Sequence, residues 1–335
     1  MTRQLCRFPL VAAMAAIALG AATASHAQAP VGQTPEAPDE IGVLHVQGSV
    51  YMLHLPGPED TNLVAQVGPQ GILLVDTGPA GLSERVMATI EERFDRTVEI
   101  VVNTHLHPEH TGGNEAFQRA ADEARTASGR GGGGGGFGGG PALRIIAHEN
   151  TLNRMNGAVE GEDEQPFEAW PTSTFFTREK ELYFNGEPIE ILSVPNAHTD
   201  GDVLVFFRGS DVIAAGDVFV TNSYPVIDGP RGGNIQGVLD GLNHILDLTV
   251  PEFNQQGGTR VIPGHGRLCN ESDVDDYRNF MTIVRDRIQA LVKEGKTLEQ
   301  VKAARPTLDF DGVFENPNYP AATFIEAVYR DVSGD

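Results

Sequence analysis

Four side chains able to bind a metal ion stand within six residues of one another: His105, His107, Glu109 and His110. They lie in the segment Asn103-Thr104-His105-Leu106-His107-Pro108-Glu109-His110-Thr111-Gly112-Gly113-Asn114. Imidazole nitrogens and carboxylate oxygens suit zinc, and iron and manganese accept the same set. His105 and His107 are two apart, so extended backbone would project both to one side. Pro108 then turns the chain and lets Glu109 and His110 face a neighbouring point. One ion can take the first pair and a second ion the other. Three more segments follow this logic: Pro195-Asn196-Ala197-His198-Thr199-Asp200-Gly201-Asp202, Ala215-Gly216-Asp217-Val218 and Pro263-Gly264-His265-Gly266. Each places a ligand-type residue, His198, Asp217 or His265, beside or near a glycine that lets backbone come close.

These residues need a scaffold that gathers them. Short β-rich runs at 43–46, 51–55, 63–67 and 72–75 are punctuated by Gly57-Pro58 and Gly68-Pro69. Pro79 suits a first helical position, and Leu82, Val86, Ile90 and Phe94 recur at helical spacing after it. The near-continuous apolar run 98–102 predicts a strand buried on both faces. Further strands are expected at 145–147, 189–194, 203–207, 212–215 and 260–262, with a helix over 235–248. Tyr277, Phe280, Met281, Val284, Ile288, Leu291 and Val292 mark a long amphipathic helix, capped by Ser272 and ended by Gly295. Thr297 and Gln300 form a capping-box pattern, and Pro306 stops that last helix. Strand runs followed by a helix therefore occur once in each half, which predicts two sheets packed face to face with helices outside. The histidine cluster, His198, Asp217 and His265 all fall at the C-terminal ends of predicted strands, where one sheet edge can collect them.

The order of these motifs, together with Val75-Asp76-Thr77-Gly78 ahead of them, resembles the metallo-β-lactamase superfamily across essentially the whole of 41–335. The resemblance implies a four-layer αββα sandwich of two mixed sheets, with the metals at one edge. It implies that His105, His107 and His198 bind one zinc ion, that Glu109, His110 and His265 bind a second, and that Asp217 bridges them. Asp76 would support the metal-binding loop without being a ligand. The family usually carries aspartate where this chain has Glu109, and the extra methylene moves the carboxylate by about 1.5 Å against ligand tolerances of about 0.2 Å.

A pair of zinc ions lowers the pKa of a water between them toward about 7, giving a nucleophile that needs no serine or cysteine; no Gly-x-Ser-x-Gly elbow is present. The resulting expectation is an exported dinuclear zinc hydrolase acting on an ester, thioester, lactone or β-lactam, with Asp217 and Glu109 serving catalysis. Zinc β-lactamases with a cysteine ligand place it where Asp217 stands. Alternatives are a β-lactamase proper, a mononuclear iron dioxygenase of the persulfide type built on His105, His198 and Asp217, or a non-catalytic small-molecule carrier. Asn222, Tyr224 and Arg231 are candidate substrate contacts, and Trp170 and Phe137 candidate lid aromatics.

Lys+Arg number 24 against 46 Asp+Glu, a net charge of −22 that repels a phosphate backbone and argues against nucleic acid as a partner. Arg3 and Arg7, the apolar run 10–19 and Ser25-His26-Ala27 read as a secretory signal over 1–27, followed by a flexible leader over 28–40 and the hydrolase domain over 41–335. Cleavage removes both arginines and Cys6, taking the charge to −24 and leaving Cys269 without an intramolecular partner. The mature protein is expected in the periplasm or secreted, with no membrane association. The glycine-rich stretch 128–140 reads as an insertion and lacks the Lys-Ser/Thr ending of a phosphate loop. His45, His54, His148 and His244 are assigned structural or surface roles, Cys269 packing, and Asp202 support of its own turn.

Overall fold

Apolar runs such as Gly71–Val75 and Val98–Val102 have side chains that alternate between two covered faces. Leu73, Val75, Ile100 and Val102 face the interior between two sheets, while Ile72, Leu74 and Val101 face a helical layer. The computed structural model describes residues 40–57, 60–128, 142–253 and 257–334. The expected signal 1–27, the leader through 39, and the glycine-rich insertion beyond Ser128, with Phe137, lie outside them.

The first sheet contains β1 (Gly42–Gln47), β2 (Val50–His54), β3 (Asn62–Gly68), β4 (Gly71–Val75), β5 (Val98–Val102), β6 (Arg144–His148) and β7 (Ser173–Phe175) in that spatial order. Pairing is antiparallel from β1 to β4 and parallel from β4 to β7. The second sheet contains β8 (Glu179–Phe184), β9 (Glu187–Ser193), β10 (Val203–Phe207), β11 (Val212–Ala214), β12 (Arg260–Ile262) and β13 (Cys269–Asn270), ordered β13-β12-β11-β10-β9-β8. Here only β11 and β12 pair in parallel. The helices are α1 (Ser83–Phe94), α2 (Pro108–Thr111), α3 (Asn114–Ala127), α4 (Glu149–Met155), α5 (Ile235–Leu248), α6 (Glu271–Lys293), α7 (Leu298–Ala304), α8 (Asp311–Phe314) and α9 (Ala321–Ser333).

Between the sheets, Val64, Leu73, Val102 and Ile146 pack against Ile189, Val205, Phe207 and Ile262. On the outside of the first sheet Leu53, Leu74 and Val101 meet Val86 and Ile90 of α1 and Phe117 of α3. On the outside of the second, Leu204, Ile213 and Val261 meet α5, α6, α7 and α9 through Val238, Leu242, Met281, Val284, Val301 and Phe324. The layers are therefore αββα, with each apolar face covered. Among the described residues no helix is long and apolar enough to cross a membrane.

Local details differ from expectation. Pro79 precedes a short 3-10 turn, Ala80–Leu82, and α1 begins after it. The cap of α6 is Asn270 rather than Ser272: its side chain accepts from the Asp273 N–H, while the Asp273 carboxylate accepts from the Asn270 N–H. At Thr297 and Gln300 the capping box forms as expected. Asp76 follows β4, and residues 103–107 follow β5. In the second sheet β9, β11 and β12 run the same way, so His198, Asp217 and His265 emerge at the same edge.

Candidate metal centre

Asp76 organises the loop after β5. Its backbone is left-handed, at φ 61°, a conformation costly for a residue with a Cβ and held here by specific bonds. Its N–H donates to the Val102 carbonyl at 2.8 Å. Its carboxylate accepts from the Thr104 N–H at 2.7 Å, from the Thr104 hydroxyl at 2.7 Å and from His110 Nδ1 at 2.8 Å. Residues 104–106 form bends instead of extended strand, so His105 and His107 meet through a tightly folded loop and not through strand alternation. Glu109 and His110 sit on α2, whose first residue is Pro108.

The outer hydrogen bonds fix which nitrogen of each ring carries the proton. A carboxylate or carbonyl only accepts, so the ring nitrogen facing it must donate. His110 Nδ1 faces Asp76, His198 Nδ1 lies 2.7 Å from the Val226 carbonyl, and His107 Nε2 lies 2.9 Å from Asp228 Oδ2. The Thr104 hydroxyl spends its proton on Asp76 and so accepts from His105 Nδ1 at 3.1 Å. In the neutral rings this leaves His105 Nε2, His107 Nδ1, His198 Nε2 and His110 Nε2 as lone pairs pointing inward.

Those lone pairs crowd together. His107 Nδ1 lies 2.9 Å from His198 Nε2 and 3.2 Å from His105 Nε2. His110 Nε2 and Asp217 Oδ1 face each other at 3.2 Å, and both are buried atoms with no hydrogen-bond partner. Facing lone pairs of neutral rings repel, and a cation reconciles them: a proton can do so between His110 and Asp217, and a metal ion can do so for the whole donor set, which fits zinc. Burial first, and then the neighbouring histidines, hold His105 well below the ordinary imidazole pKa. Burial pushes His198 down to about 4 despite Asp217. Burial acts the same way on His110, but the carboxylates of Asp217 and Asp76 reverse it and raise that group. Burial would raise Asp217, and His265 and His110 instead hold it well below the usual carboxylate range.

Two donor groups emerge, each with all ligand atoms within 4.8 Å of one another: His105, His107 and His198; and His105, Glu109, His110 and Asp217. Glu109 thus reaches the centre despite its extra methylene, with Oε1 3.8 Å from His107 Nδ1. His265 stands beside the second group, its Nε2 3.3 Å from Asp217 Oδ2, and that same oxygen lies 3.8 Å from His198 Nε2. Asp217 lies in the 3-10 turn Gly216–Val218 just past β11. Gly264 is required against it: a Cβ there would come within 2.0 Å of Asp217 Oδ1.

The candidate substrate contacts fare differently. Tyr224 is not a pocket residue: its side chain is fully buried, stacked on Phe324, with its hydroxyl donating to Asp311 at 2.8 Å. Arg231 is not a free cation: its guanidinium is committed to Glu162 and Asp228. The Asn222 amide is within 3.4 Å of Asp60 Oδ2. Trp170 donates to the Gln165 carbonyl and packs edge-on against Phe167. Asp202 accepts from the Thr199 N–H and hydroxyl, holding its turn, and burial pushes its pKa up to about 7. Cys269 packs in the outer core of the second sheet. Thr104 and Asp228 are site residues that spacing did not reveal. Thr104 lies inside the motif and was legible only as its neighbour; Asp228 stands 30 residues from His198 with no sequence signal of its own.

The family model for the metallo-beta-lactamase superfamily matches residues 55–265. A linear primary-alkylsulfatase of a Pseudomonas species is 38% identical over 259 residues, 70% of this chain and 47% of that protein. A probable metallo-hydrolase of Methanocaldococcus jannaschii is 23% identical over 196 residues, 58% of this chain and 83% of that protein. Among solved structures, a stereoselective inverting sec-alkylsulfatase from Pseudomonas sp. superposes with a TM-score of 0.59 at 17% identity, covering 87% of this chain and 50% of that one. The chain spans about half the length of the alkylsulfatases it matches.

Proposed function

This chain belongs to the metallo-β-lactamase superfamily, and from that premise we propose that it is a metal-dependent hydrolase holding two zinc ions and cleaving a small activated carbonyl compound. The observation that carries this reading is the convergence of four inward imidazole lone pairs on the carboxylates of Asp217 and Glu109. His105, His107 and His198 would hold one ion; Glu109, His110 and Asp217, with His265 beside them, would hold the other. Zinc held there would lower the pKa of bound water toward about 7 and would polarise the substrate's carbonyl oxygen. Asp217 turns Oδ1 to His110 and Oδ2 to His198 and His265, the disposition expected of a carboxylate shared between two groups. Asp76 and the Val226 carbonyl hold the outer ring protons, keeping His110 and His198 oriented.

A second reading, an alkyl sulfate ester as substrate, is favoured by the 38% identity to the linear primary-alkylsulfatase. The deciding experiment assays chelator-stripped and zinc-restored protein on esters, thioesters, lactones, β-lactams and linear alkyl sulfates. Hydrolysis abolished by the chelator, restored by zinc and indifferent to serine-directed acylating inhibitors is expected. Sulfate release without carbonyl turnover would move the substrate to the second reading. Iron as the sole native metal with oxygen consumption on a persulfide, or no turnover of any substrate by fully metallated protein, would overturn the hydrolase. The proposal includes export, resting on residues 1–27; mass spectrometry of the native protein should find Gln28 or a near neighbour at the N-terminus.

A further inference from the structure

Two of the three histidines in the first donor group are oriented by one short segment. The Val226 carbonyl accepts from His198 Nδ1 at 2.7 Å, and two residues on, Asp228 Oδ2 accepts from His107 Nε2 at 2.9 Å. The backbone of this segment is pinned to the loop it serves: the Asp228 N–H donates to the His198 carbonyl at 3.0 Å. Gly233 packs so closely that a Cβ there would lie 2.1 Å from the His198 carbonyl oxygen.

Asp228 is itself held from outside by alternating charges. Its Oδ2 also accepts from the Arg231 guanidinium at 3.0 Å. Arg231 grips both oxygens of Glu162, at 2.8 and 3.0 Å. Glu162 accepts from Arg154 at 3.1 Å, and Arg154 forms a bidentate pair with Asp200 at 3.0 and 2.7 Å. Asp200 is two residues from His198, and its N–H donates to the Arg231 carbonyl at 2.9 Å, so the chain of charges returns to the loop of a candidate ligand. The side chains of Asp228, Glu162 and Arg154 are 11%, 12% and 9% exposed and that of Arg231 35%, so the pairs are partly shielded from the solvent screening that weakens surface ion pairs.

We propose that Asp228 is the positioning residue for His107, fixing the proton on Nε2 and presenting Nδ1 to the first metal, and that Arg231 with Glu162 holds Asp228 in that task. The assignment rests on the dinuclear reading above. It follows from chemistry: a carboxylate that only accepts forces the donor state on the nitrogen it faces. A ligand ring freed from its outer partner loses about 10- to 100-fold in metal affinity.

Zinc titration of the full chain against a competing chromophoric chelator tests this, with cobalt(II) absorption as the spectroscopic record of each site. Wild-type protein should show two sites. Asp228→Ala should weaken one of them by about 10- to 100-fold, leave the other near its original affinity and alter the cobalt spectrum of the weakened site. Asp228→Asn, whose amide oxygen still accepts from Nε2–H, should lose less, and Arg231→Gln should fall between wild type and Asp228→Ala. A merely structural residue would lower the Tm of the metal-stripped protein and leave the affinities of its folded fraction unchanged; that result overturns the assignment. Two wild-type-like sites in Asp228→Ala would overturn this proposal alone, whereas a wild-type protein that binds no zinc would overturn the dinuclear reading with it.

Discussion

Glu109 occupies the first turn of α2, with a carboxylate that joins the donor atoms of His105, His110 and Asp217. The backbone of α2 is placed for the longer side chain, so shortening it retracts the carboxylate by about 1.5 Å. On the proposed dinuclear reading, Glu109→Gln should therefore lose most of the second ion while the His105, His107 and His198 group keeps the first. Glu109→Asp should retain more of it than the glutamine variant and less than wild type. Zinc counted per protein after dialysis against a graded chelator checks both, and an unchanged count of two in Glu109→Gln would remove Glu109 from the ligand set. The nearby glycine makes a sharper case. A methyl group at 264 would overlap Asp217 Oδ1, so Gly264→Ala should displace that carboxylate and cost about tenfold or more in second-ion affinity, read in the same titration.

Helix ends and loop bends are where elements departed from what their sequences advertise. Strands β5 and β10 and helix α5 were legible because mostly apolar runs of strand or helix length leave little choice of element, and the three-residue β12 was legible as a short β-branched run before Pro263. Ser272 and Asn270 are both good caps, and sequence alone does not choose between them. Each has an aspartate three residues on, Asp275 or Asp273, that could return the hydrogen bond, and the structure closes the box at Asn270 and Asp273, directly where β13 ends. Asn270→Ala should consequently cost about 1 kcal/mol of stability, read as a lowered urea midpoint, and Ser272→Ala should change it little. His105 and His107 show the same limit within the site. Residue types and spacing pointed to a metal group, but the bends that deliver the rings depend on Asp76 and its bonds to Thr104, a contact 28 residues away in sequence. Asp228 was illegible for the same reason: its role exists only through a contact 121 residues away, with His107. Tyr224 was a candidate because its loop follows Asp217, and Arg231 because a cation could meet a substrate carboxylate; tertiary packing claims one for the core and carboxylates claim the other.

At the scale of the whole sandwich, the edge of the sheets opposite the metal centre carries its own polar fastening. Glu187 begins β9 in the second sheet and is buried. Its Oε1 accepts from the Ser49 hydroxyl at 2.9 Å, from Gln66 Nε2 on β3 of the first sheet at 2.9 Å and from the Ser210 hydroxyl at 2.8 Å. Its Oε2 accepts from the Ser210 N–H at 2.7 Å. Gln66 donates also to the Phe184 carbonyl, so the two sheets are bonded through side chains where the interior is otherwise apolar. Burial alone would raise the Glu187 pKa, and these donors outweigh it and hold the group below the usual value. A carboxyl whose folded pKa is depressed adds stability that is fully present above its unfolded pKa, about 4.3, and is lost as pH falls through the folded value. Replacing it with glutamine turns two donor hydrogens toward neighbours that themselves donate, which should cost about 1–3 kcal/mol near neutral pH. The difference in urea midpoint between wild type and Glu187→Gln should therefore be largest at neutral pH and narrow below about pH 4, because only the wild type gives up this contribution on acidification. Comparing the two proteins cancels the titration of the other carboxylates. A gap of constant size from neutral pH into acid would mean that Glu187 fastens the sheets by shape alone and that its charge contributes nothing.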